Sequence, residues 1–161
     1  IDECDAGEVG MHALAELPGE SDLCPMTEKS TADWTTEVVR VASDRGYLTA
    51  VALQLPDVIA CGAWKEISSW PSNDVAEAIN VLAKAAPEVF PRHLSVSLSN
   101  ARGVHWVDPT GKSEKALAEK LRHRADEVRR SCPAAASALR NNAQNLETEA
   151  TRTVESAKWE R

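Results

Sequence analysis

The sequence predicts an α/β fold, with α+β as the alternative: a small sheet with a central buried strand and a hairpin, flanked by helices and continued by a long C-terminal helical extension. Three observations predict it. The run YLTAVALQL, Tyr47 to Leu55, lies between Gly46 and Pro56-Asp57. It carries apolar residues on both faces, interrupted only by Thr49 and Gln54, as a strand covered on both sides does. Farther on, Leu94, Val96 and Leu98 alternate with Ser95, Ser97 and Ser99. A turn at Asn100 to Gly103 then returns the chain through Val104, Trp106 and Asp108, alternating with His105 and Val107, so the pair reads as a hairpin with one wet, serine-rich face. Beyond Gly111 there is no glycine, and Pro133 alone interrupts helix.

The flanking elements follow in order. Residues 1–30 form an acidic arm: Ile1 to Glu28 holds eight Asp or Glu and no Lys or Arg. Ser30 and Asp33 stand at the spacing of an N-cap and a first-turn acid. Trp34, Val38, Val41 and Ala42 then share one helix face that Gly46 ends. Pro56 to Pro71 is irregular, with Trp64 and Trp70 either lidding the core or forming a rim for a ligand. Ser72 caps a helix bearing Val75, Ile79, Leu82 and Ala86, stopped by Pro87. These elements make a core domain over residues 31–111, and residues 112–161 make the extension, kinked or broken at Pro133. In it Leu121, Ala125, Val128, Cys132, Ala135, Leu139, Ala143, Leu146 and Ala150 recur at heptad-like spacing. A continuous helix of that length would reach on the order of 70 Å.

Composition narrows the function classes. With 161 residues, 43% of them hydrophobic and 27% charged, the chain is globular, and no apolar run is long enough to span a bilayer. A net charge of -7 argues against a nucleic-acid partner gripped through phosphates. The chain starts at Ile rather than Met, which reads as a processed product. Cys4, Cys24, Cys61 and Cys132 are an even set without CxxC or zinc-finger spacing. Together these observations predict an exported, extracytoplasmic protein with two disulfides. The preferred pairing joins Cys4 to Cys24 and Cys61 to Cys132.

No stretch carries a reaction-specific motif. Gly111-Lys112-Ser113 ends like a phosphate-binding loop, but Trp106 stands where its first glycine belongs. His12, His93, His105 and His123 never fall at ligand spacing from one another or from Cys, so no metal site is written locally, and no cofactor site either. His105, a serine across the hairpin and Asp108 are the nearest approach to a catalytic group. Lys115, Lys120, Arg122, Arg124, Arg129 and Arg130 read as a solvated basic face or, as the alternative, a contact for anionic lipid or an acidic protein. Asn141, Asn142, Gln144 and Asn145 are uncharged amides beside the alanine-rich seam, suited to a surface dehydrated against a neighbour.

The order helix, strand, helix, hairpin, helix over residues 31–130 resembles the TPM-type domains of exported bacterial and thylakoid proteins, some of which are phosphatases. None of that family's sequence motifs occurs, and no residue roles carry over. The reading that results is a non-catalytic accessory or assembly subunit. It would bind a protein partner, a larger cell-envelope or membrane-embedded complex, through Leu139, Asn142, Ala143, Asn145, Leu146 and Ala150 of the C-terminal helix. The alternatives are a small phosphatase-like extracytoplasmic hydrolase and a secreted effector or toxin-like protein.

Overall fold

The computed structural model describes residues 30–159 apart from 104 and 106, without the side chains of 158 and 159. It contains six α-helices and, among the described residues, no strand. They are α1 (Thr31–Asp44), α2 (Leu48–Ala60), α3 (Asn73–Ala85), α4 (Phe90–Asn100), α5 (Lys112–Val128) and α6 (Pro133–Trp159), with a 3-10 turn at Ala63–Glu66. The α/β expectation is therefore overturned, and with it the resemblance in element order.

The reason lies in the burial register. The supposed central strand is α2, which runs past the proline to Ala60 with Pro56 inside it. Its buried residues are Val51, Ala52, Leu55, Pro56, Ile59 and Ala60, pairs recurring every four residues as on one helical face. Leu53 is only half-buried. A short run apolar on both sides has no period-2 signature, and its length decides for helix once Val58 to Ala60 are counted. The supposed first hairpin strand is α4, which buries Phe90, Leu94, Ser97 and Leu98. Val96 points outward, 51% exposed, and Ser97 inward, so the alternation of apolar and serine residues is broken by the 3.6-residue period.

The two capped helices are built as their sequence dictates. Ser30 Oγ accepts from the Asp33 amide at 3.1 Å at the start of α1, and Gly46, at φ 77°, follows the C-cap of that helix. Ser72 caps α3 through the Val75 amide. Asp74, in the first turn of α3, reaches across to the amides of Thr31 (2.8 Å) and Ala32 (3.2 Å), so it also closes the N-terminus of α1.

Helix α5 ends at Val128, and Pro133 opens α6, which folds back along α5 instead of extending from it. Arg122 to Glu147 and Asp126 to Arg140 bridge the pair, with Arg140 Nη2 at 2.7 Å from Asp126 Oδ1. On its other side α6 packs on α4. One buried cluster runs through all six helices, including Leu55, Ile79, Leu82, Phe90, Leu94, Leu98, Leu121 and Leu139. Helices α5 and α6 thus share their core with α1 to α4. Alanines at 118, 125, 135, 138, 143 and 150 are all buried and let the helices approach closely. Arg124 of α5 holds the loop before α3, donating to the carbonyls of Ser69, Trp70 and Pro71 at 2.8 to 3.0 Å.

The expected bridge between Cys61 and Cys132 is not formed. Cys132 is buried where α6 begins, its Sγ 3.6 Å from the Ala76 carbonyl, and burial pushes its thiol pKa up. Cys61 is exposed at the C-cap of α2, in a groove with Asn100 and Ala101, the end of α4 that leads to Arg102 and its ion pair with Glu149. Residues 132 and 149 are about 25 Å apart along α6, far beyond the reach of a disulfide. An even cysteine count says nothing about where a helical topology sends each thiol. Cys4 and Cys24, like the acidic arm, lie outside the described residues.

Candidate functional site

A concave surface lies where the C-terminal half of α6 meets the end of α4 and the residues that follow it. This groove, about 550 Å³, is framed by Trp64, Arg102, His105, Asn145, Glu149 and Arg152. Three structural elements position it. The 3-10 turn presents Trp64, whose indole Nε1 donates to the Leu98 carbonyl at 2.6 Å, anchoring the ring on α4. Past α4, Arg102 lies over that ring at 5.9 Å from its centroid, a cation–π contact. Arg102 also donates to Glu149 Oε2 at 2.8 Å, and its side chain is only 16% exposed.

Glu149 is shared. Its second oxygen, Oε1, lies 3.3 Å from His105 Nε2, while His105 Nδ1 lies 3.0 Å from the Gly103 carbonyl. Beneath them Glu114 of α5 is buried, with Oε1 4.0 Å from Arg102 Nη2 and accepting from the Asp108 amide at 3.3 Å. Its Oε2 is sealed from solvent and has no hydrogen-bond partner among the described residues. Asp108 organises the start of α5: it accepts from the amide and hydroxyl of Thr110 and from those of Ser113. These bonds, those from Thr110 first, hold its pKa at about 2, against an ordinary value of 3.8.

The residues singled out in the sequence are divided by this geometry. Leu139, Ala143 and Ala150 are 0% exposed, Leu146 3% and Asn142 3%, so their neighbours are helices of the same chain. Asn142 donates to the carbonyls of Ser95 (3.0 Å) and Ala138 (2.9 Å). Asn145 is exposed and stands on the groove wall, and Asn142 and Leu146 reach its floor. The ring contacts of His105 are with the Gly103 carbonyl and Glu149, not with a serine. The serines at 95, 97 and 99 belong to α4, and the hairpin that would have paired them does not exist. In the basic stretch Arg122 and Arg124 are tied to Glu147 and to the 69–71 carbonyls.

Sequence reasoning missed Arg102, Glu114 and Glu149. An acid three residues after Gly111, at a helix start, was a signal for Glu114; Arg102 and Glu149, 47 positions apart, leave no local trace. Among the described residues no group of three or more His, Cys, Asp or Glu is placed to hold a metal ion. No helix among them is long and apolar enough to cross a membrane. No protein-family model, curated protein or solved structure matches the chain.

Proposed function

We propose that the chain acts by binding a protein partner, as an accessory or assembly subunit, and that it does so through the exposed edge of α6 and the groove beside it. One observation carries this reading. Asn145, Thr148, Glu149 and Arg152 line the groove on a helix whose buried face is locked in the core by Leu139, Ala143 and Ala150. A recognition surface mounted on a rigid element loses little conformational freedom on association. The tryptophan and two arginines present are residue types enriched in protein interfaces.

The expected location outside the cytoplasm rested on the cysteines and the Ile start, and the proposal stands without it. The test is co-purification from a detergent extract of the native source. Asn145→Arg combined with Arg152→Glu removes the bound protein that wild type retains, while the thermal melt is unchanged and Lys120→Glu on the far side of α5 keeps the partner. Retention of the partner by the groove variant overturns the proposal.

A further inference from the structure

The connection between α4 and α5 crosses to α6 and is held there by two side chains on one carboxylate, Arg102 on Glu149 Oε2 and His105 on Glu149 Oε1. The two contacts differ in kind. A guanidinium always carries its donors. An imidazole carries one N–H when neutral and two when protonated.

Both ring nitrogens of His105 face oxygens that can only accept, the Gly103 carbonyl at 3.0 Å and the Glu149 carboxylate at 3.3 Å. Neutral His105 therefore satisfies one of these contacts and turns a lone pair on the other. The imidazolium donates to both. The charged groups around the ring are Glu149, in contact with it, Arg102 on the same connection, and Arg152 of α6, which lines the same groove. Glu114 of α5 stands behind Arg102. Glu149 is the group in contact, and Arg102 is already engaged on its other oxygen.

We infer that His105 is a proton-dependent latch that fastens the chain at Gly103 and His105 to Glu149 of α6 and so sets how firmly one wall of the groove is held. Only the protonated ring carries a second N–H, so the latch is tighter with the imidazolium than with the neutral imidazole. The ring's side chain is 30% exposed, which lets a proton arrive without unfolding. As regulation of binding, the latch rests on the groove being the binding surface. As a property of the chain, it does not.

The experiment follows that division. Amide hydrogen exchange of the whole chain is compared at pH 8 and pH 5, corrected for intrinsic rates, in wild type, His105→Gln and Glu149→Gln. The expected result is protection at Gly103, His105 and Val107 that rises about 1.5-fold to fivefold at pH 5 in wild type, the worth of one partly exposed charged pair. In both variants the ratio stays near one. Amides of Ile79 and Leu82, deep in the core, serve as the reference for whole-chain opening. A wild-type ratio near one, or an undiminished pH response in the variants, overturns the latch. Because no partner is present, that failure is separate from failure of the binding proposal.

Discussion

Asn142 Nδ2 donates to the Ser95 carbonyl at 3.0 Å, joining the middle of α6 to α4 inside the core. The same nitrogen donates to Ala138 O at 2.9 Å, so both amide hydrogens are used without water. Asn142→Ala removes the two donors and leaves a small void, and is expected to destabilise by about 1 to 3 kcal/mol in urea denaturation. Exposed Asn145→Ala should stay within about 0.5 kcal/mol. Equal midpoints for the two variants would remove Asn142 from its structural role.

The tail is where the sequence pattern and the structure diverge most usefully. A heptad-like seam shows that a helix face must be covered, and Leu139, Ala143, Leu146 and Ala150 are covered. It does not show by what. Here the cover is α4 and α5 of the same chain, reached because the chain reverses between Val128 and Pro133. Leu139→Ala is accordingly expected to cost about 2 to 5 kcal/mol, and deletion of residues 133–161 to abolish the cooperative melt. A truncated chain that still melts cooperatively would show that α1 to α5 form a core without α6.

Legibility varied with how local each signal was. Ser30, Ser72 and Gly46 mark helix ends through chemistry within three residues, and the structure uses all three. The 47–55 and 94–98 runs failed because helix and strand both bury short apolar stretches. The deciding residues lay outside the runs: Ile59 and Ala60 beyond the proline, and Phe90 four residues before Leu94. The groove was barely legible, since Arg102 and Glu149 meet only after three helices have been packed.

Asp108 links acidity to stability. Its folded pKa of about 2 lies below its ordinary 3.8, so the carboxylate is the form that Thr110 and Ser113 stabilise. The sign follows: this contribution is fully present above 3.8 and is lost as pH falls through about 2. Asp108→Asn is expected to lower the urea midpoint at pH 5, with the gap to wild type closing between those two values. A gap that persists at pH 2 would mean that Asp108 acts through packing and not through its charge.

Two glycines with positive φ separate backbone strain from crowding. Gly46, at φ +77°, has nothing within 4 Å of where a Cβ would sit. Gly111, at φ +64°, precedes α5, and a Cβ there would lie 2.9 Å from the Ala150 carbonyl oxygen, 3.1 Å from Ala150 Cβ and 3.2 Å from Val154 Cγ2. Gly46→Ala should therefore cost only the left-handed penalty of about 1 to 2 kcal/mol. Gly111→Ala carries that penalty plus overpacking, which adds about 1 to 3 kcal/mol, because the nearest obstacle is the backbone of α6 and cannot rotate away. The check is a pair of urea melts. If Gly111→Ala costs no more than Gly46→Ala, α6 is not seated against the start of α5, and the close helical hairpin that carries the groove wall is wrong in that region.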